Sequence, residues 1–135
     1  MCCRTASFLA LLAAGLMATP AAAHPEYQRG FQTVYTKGPD IDKDFRKLVR
    51  KAKCNLCHQG KKDRTKYNRY GTELLDHLAD GDKKNKEKIA TALAAVADLP
   101  SDGDGSPTYA DLIAAGSLPG GPLKASQVEP PDAAD

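Results

Sequence analysis

Apolar side chains recur at helical intervals along most of the chain. Ile41, Phe45, Leu48, Val49 and Ala52 fall on one face, with Lys and Arg between them, which predicts a helix over about 40–53. Asp40 and Asp42 stand at its start as candidate caps and favour the positive helix end. A second helix is expected over about 66–79, with Tyr67, Tyr70, Leu74, Leu75 and Leu78 on its apolar side and His77 at the flank of that stripe. Gly71 lies inside it at a cost of about 1 kcal/mol against Ala. A close neighbour would explain that choice, either the face of a flat cofactor or a crossing helix. Ile89, Leu93, Val96 and Ala97 mark a third helix over about 82–98. A short fourth helix is punctuated by Ser106 as N-cap, Pro107 at its first position and Gly116 beyond its end. Tyr109, Leu112 and Ile113 are its inward candidates. The pattern is that of an all-α domain of three or four helices over about 40–118.

The flanks read differently. Residues 24–39 carry Pro25, Gly30, Gly38 and Pro39 and are expected to be irregular. Phe31-Gln32-Thr33-Val34-Tyr35 alternates apolar and polar, as a short strand or an extended cover would. From Pro119 to the end the composition of Pro, Gly and Asp predicts a disordered tail over 119–135. At the other end, Arg4, the apolar run Phe8 to Met17 and the small residues Ala21-Ala22-Ala23 have the form of a signal peptide over 1–23. The run is too short to span a bilayer. Cys2 and Cys3 precede it and do not sit at a lipid-attachment position. The mature chain is then expected to start at His24, outside the cytoplasm, in the periplasm or otherwise exported, with no membrane span.

Of four cysteines, the two that remain after such cleavage are Cys54 and Cys57, in the stretch Cys54-Asn55-Leu56-Cys57-His58. Cys-x-x-Cys-His is the attachment signature of a c-type haem. Two thiols at this spacing can each add to one vinyl group of a porphyrin, and the adjacent imidazole can then supply the proximal iron ligand. Two other readings compete. A thioredoxin-like redox pair needs a βαβ context, which the pattern lacks. A closed zinc site needs four ligands, and only His24 and His77 remain to complete one. With no cysteine left for a structural disulfide, one covalent haem would also be the staple that a small exported domain usually needs.

Charge is segregated. Residues 37–88 hold 16 Lys and Arg against nine Asp and Glu, a net +7, whereas residues 89–135 hold one Lys against seven acids, a net −6. The half with the cysteine motif is the basic one. Such a face can steer an acidic redox protein toward a haem edge, or it can be an ordinary set of solvated helix faces. The expected partner is a redox protein, not a nucleic acid.

The sixth position on the iron is the open question. The two methionines are Met1 and Met17, both within the expected signal peptide, so a mature chain cannot use a methionine there. His77 is the leading candidate, giving a low-potential electron carrier; His24 and weaker ligands such as a Lys, Tyr or Asn side chain are the other side chains open to that role. An open iron would instead suit a sensor of small ligands or a peroxidase-like protein. His24 is expected to be a mobile terminal residue. Its amine and imidazole could bind copper only with another His nearby. A second metal candidate is the run Asp102-Gly103-Asp104-Gly105. Set against the calcium loop of EF-hands, Asp102, Asp104 and Asp111 fall at ligand positions 3, 5 and 12. Pro100 at position 1 has no side-chain oxygen, so a plain turn that caps the fourth helix competes with the calcium reading.

These segments, taken with Asn68-Arg69-Tyr70-Gly71 and the short helix ending before Gly116 and Pro119, resemble small exported monohaem c-type cytochromes of the kind found in planctomycetes. The resemblance covers about residues 31–120. It implies a cytochrome c-like helical domain, one covalent haem c on Cys54 and Cys57, His58 on the iron, electron transfer and a periplasmic location. An electron carrier, not an enzyme, is therefore expected. From helical spacing, Leu56, Tyr67, Tyr70, Leu74 and Leu78 are expected in the pocket.

Overall fold

The computed structural model describes residues 24–131. The expected signal peptide, with Met1, Met17, Cys2 and Cys3, and the last four residues of the chain lie outside the described residues. The described chain is all-α, with only isolated bridges and no strand. Six helices follow in order: α1 Pro25–Tyr35, α2 Lys43–Ala52, α3 Arg69–Leu75, α4 Lys86–Ala97, α5 Tyr109–Ala114 and α6 Leu123–Ser126. Short 3-10 helices occupy Lys53–Leu56 and Asp80–Lys84. None of these helices is long and apolar enough to cross a membrane.

α1 corrects the expectation of an irregular segment over 24–39. Pro25 opens the helix where its missing N–H costs nothing, and Glu26 sits in the first turn, beside the positive end of the helix. Tyr27 and Phe31, one turn apart, are buried, and Val34 is exposed. The alternation at 31–35 is therefore part of a helical stripe. Gly30 lets α1 approach α4 closely, because a Cβ there would collide with the Ile89 side chain. The Phe31 ring lies 4.8 Å from Tyr35 and 6.0 Å from Tyr70, and Tyr70 lies 5.1 Å from Tyr109. These rings, with Phe45, Val49, Leu93 and Val96, form the centre of one core. Each such side chain contributes about 1.5–3 kcal/mol on full burial.

α2 begins at its predicted cap. The Asp42 carboxylate accepts from the N–H groups of Asp44 and Phe45, both at 2.8 Å. α3 is shorter than expected. After Leu75 the chain tightens into turns, His77 N–H to Leu74 C=O at 3.2 Å and Leu78 N–H to Leu75 C=O at 3.3 Å. That turn brings Leu78 into the core and leaves His77 exposed. α4 starts at Asn85, whose side chain accepts from Lys88 N–H.

The fourth predicted helix, α5, starts two residues later than expected. The Ser106 hydroxyl is engaged within the preceding loop, donating to Gly103 C=O at 2.9 Å and accepting from Asp102 N–H at 2.8 Å. Thr108 is the N-cap. Its hydroxyl accepts from Asp111 N–H, and its own N–H donates to the Asp111 carboxylate at 2.9 Å. This reciprocal pair is a capping box. The expectation of a disordered tail from Pro119 is also corrected, for residues 119–131. α6 packs on the 3-10 helix that carries the cysteines, and Ser126 is buried.

Candidate functional site

Lys53 joins α2 to the cysteine motif with φ at +48°, a left-handed conformation that strains a residue with a side chain. The chain then makes one 3-10 turn, and the Cys54 carbonyl accepts from both Cys57 N–H at 3.2 Å and His58 N–H at 2.9 Å. Two buried asparagines lock this turn in place. Asn55 Nδ2 donates to the carbonyls of Gly60 at 2.7 Å, Ser126 at 2.9 Å and His58 at 3.2 Å. Asn68 caps α3 by accepting from Gly71 N–H at 2.9 Å, and its Nδ2 donates to Asn55 and Leu56 carbonyls at 3.3 and 3.2 Å. Gly71 is required by the same junction. A Cβ there would collide with the Cys57 carbonyl oxygen, so the close neighbour of this glycine is the backbone of the cysteine turn.

The turn opens onto a cavity of about 150 Å³. Cys54, Cys57, His58, Tyr67, Gly71, Leu74 and Leu75 line it from one part of the chain, and His24, Pro25, Tyr27 and Gln28 from the start of α1. The loop Gln59–Lys66 folds back so that Tyr67 pairs with His58, through Gln59 N–H to Lys66 C=O at 3.0 Å and Asn68 N–H to Cys57 C=O at 2.9 Å. The two rings then lie 4.4 Å apart, tilted by 32°. Burial pulls the His58 imidazole below its ordinary value, hydrogen bonding to the Lys66 backbone partly opposes this, and the Arg64 charge adds to the lowering. Neutral imidazole is the form that ligates a metal. Burial, with a smaller contribution from Cys54, pushes the Cys57 thiol up to about 12.

These residues fit the attachment of a haem through its edge. Both thiols and His58 share one cavity, His58 Nδ1 is buried without a hydrogen-bond partner, and Tyr67, Leu74 and Leu75 supply apolar wall. Sites that enclose small ligands run to about 300–1,000 Å³, so a macrocycle here would project from the cavity or part its walls. The competing readings fit less well. The motif follows a helix C-terminus, where the dipole disfavours a reactive thiolate, and among the described residues there is no βαβ unit and no group of three side chains placed to hold a metal.

Of the residues predicted from spacing, Tyr67 and Leu74 line the cavity. Leu56, Tyr70 and Leu78 are buried in the core instead. His77 is exposed, outside the cavity. His24 is not a loose terminal residue but one of the cavity's walls. The calcium candidates do not converge. Asp111 is committed to the capping box, where bonding to Thr108 holds its carboxyl below the usual range. Asp102 pairs with Arg69 at 3.3 Å, and Asp104 is exposed. Compared with known proteins, the chain matches no family, no curated protein and no solved structure.

The C-terminal segment closes over the back of the turn. Gln59 Nε2 donates to Ala125 and Val128 carbonyls at 2.8 and 2.7 Å, and the Glu129 carboxylate accepts from Lys61 and Lys62 N–H at 2.6 and 2.8 Å. Those two amides, Lys62 first, hold Glu129 below its ordinary value of 4.5. A depressed carboxyl contributes fully above that ordinary value and loses its contribution as pH falls through the lower folded one. Protection of the Lys61 and Lys62 amides, measured relative to their intrinsic exchange rate at each pH, is therefore expected to fall on acidification below about pH 4.5. Glu129→Gln should abolish that step. An unchanged pH profile in Glu129→Gln would remove the assignment.

Proposed function

We propose that this chain is an exported monohaem c-type cytochrome that carries single electrons between protein partners. The observation that supports it best is the joint placement of Cys54, Cys57 and His58 in one cavity with apolar walls. When bound, the haem iron supplies reversible one-electron exchange. The side chains do the rest. Cys54 and Cys57 hold the group by thioether bonds, and His58 presents a neutral imidazole. Tyr67 limits the tilt of that ring, and the bonds of Asn55 and Asn68 fix the turn so that the three ligating groups stay in register. Lys53, Lys61 and Lys62 are exposed beside the motif. They form a basic rim suited to an acidic redox partner, with attraction that weakens as salt is raised.

The test is expression of the natural sequence in a host that attaches haem to Cys-x-x-Cys-His. The expected product retains haem through acid–acetone extraction, has the added mass of one haem and titrates as a single one-electron couple. Cys54→Ala with Cys57→Ala should abolish covalent retention. A product without covalent haem would end this reading. Steady peroxide turnover by the natural protein would move a peroxidase-like reading ahead of electron carriage.

A further inference from the structure

We infer that His24, at the head of α1, is the second axial ligand of the haem iron, an inference that rests on the c-type cytochrome reading. His24 lines the same cavity as Cys54, Cys57 and His58. Its side chain is only 11% exposed, little for a residue before the first helical turn. Two contacts orient the ring. Its Nε2 lies 3.1 Å from the Asp80 carboxylate, and its ring meets that of Tyr27 in a T-shaped arrangement with the centroids 5.2 Å apart. Tyr27 is itself anchored, donating from its hydroxyl to Ala79 C=O at 3.0 Å. With Nε2 engaged by Asp80, Nδ1 is the ring nitrogen left to ligate.

A carboxylate on the far ring nitrogen is the usual support for a metal-bound histidine. It fixes the tautomer and raises ligand basicity. Asp80 supplies that support to His24. His77, the other histidine outside the motif, lies outside the cavity. Among the described residues no methionine is present to compete. Two imidazoles on the iron give a low-spin centre at a lower potential than a histidine–methionine pair.

The test uses the haem-loaded protein and reads absorption, electron paramagnetic resonance and carbon monoxide binding. The natural protein and His77→Ala are expected to be low-spin and to ignore carbon monoxide. His24→Ala should become high-spin and bind it. His24→Met keeps a long side chain in the cavity and guards against a folding failure. It should stay folded and shift the midpoint potential upward. Asp80→Asn should remain low-spin with a smaller upward shift. A natural protein that is already high-spin, or His24→Ala and His24→Met variants indistinguishable from it, would overturn the assignment while leaving covalent haem intact. Loss of covalent haem from the natural protein would instead remove the function proposed above, and this ligand with it.

Discussion

Gly71→Ala is expected to destabilise the protein by about 1 kcal/mol, up to about 2, although Ala is the better helix former. Two effects oppose each other. Replacing Gly inside a helix gains about 0.8–1.0 kcal/mol of propensity. Against that, the new Cβ would occupy the space of the Cys57 carbonyl oxygen, and overpacking of this kind costs about 1–3 kcal/mol, sometimes more. The carbonyl cannot swing aside without loss, because it accepts the Asn68 N–H at 2.9 Å. α3 must therefore move off the turn, which spoils the Asn68 cap and widens the wall formed by Leu74 and Leu75. Chemical denaturation measures the net effect. If the chain carries haem as proposed, the variant should also attach it in lower yield. An increase in stability of about 1 kcal/mol, the pure propensity gain, would show that the helix does not rest on the cysteine turn.

Asn55→Leu should be at least as damaging, at about 1–3 kcal/mol. The substitution keeps the volume and removes the amide group that donates to the carbonyls of His58, Gly60 and Ser126. Gly60 C=O keeps the Arg64 guanidinium at 3.1 Å and Ser126 C=O keeps Gly60 N–H at 2.8 Å, so His58 C=O is the acceptor left without a partner. Leaving a buried polar group unsatisfied costs about 1–3 kcal/mol each, and the Asn55 site is only 5% exposed. The expected signature is specific to place. α6 should detach, so limited proteolysis should cut within residues 121–128 before any other site. Ser126→Ala is the matched control. It removes a hydroxyl bond to Gly120 C=O at 3.2 Å but keeps the backbone carbonyl that Asn55 uses, so it should cost only about 0.5–1.5 kcal/mol. Equal losses in the two variants would show that the side chain of Asn55 is not what ties the tail down.

Much of the scaffold was legible in the sequence wherever periodicity and caps agreed. α2 carries a long apolar stripe behind Asp42 and forms close to the expected limits, whereas α4 keeps its stripe but starts four residues later than expected, at Lys86, because Asp80–Lys84 forms a 3-10 helix and Asn85 supplies the cap. α1 was hidden because Pro25, Gly30 and Gly38 suggested breaks. Each has another use or none: Pro25 starts the helix, Gly30 admits Ile89, and Gly38 lies beyond the helix end. The spacing of Tyr27, Phe31 and Tyr35 was the available signal. Composition misled at the tail as well. Its Pro and Gly content says nothing of the Ser126 carbonyl, which is an acceptor by virtue of its place against Asn55, not its side chain.

The site divides along the same line. Cys54, Cys57 and His58 are a local motif, so four residues of spacing place them together. His24 reaches them only because α1 folds onto the 3-10 turn, a tertiary event that helical spacing does not encode. His77 lies outside the cavity for a local reason: helical spacing would keep it on the flank of the apolar stripe, but the chain leaves the helix after Leu75 to bury Leu78.

The bond from Asn55 to Ser126 spans 71 positions, and this sets an order of events. A chain delivered from its N-terminus presents the two thiols long before the segment that closes behind them exists. During that interval the turn lacks its principal clamp. Closure waits on a segment 71 positions further along the chain. The fold thus carries a built-in delay, in which Cys54 and Cys57 emerge well before the segment that clamps their turn.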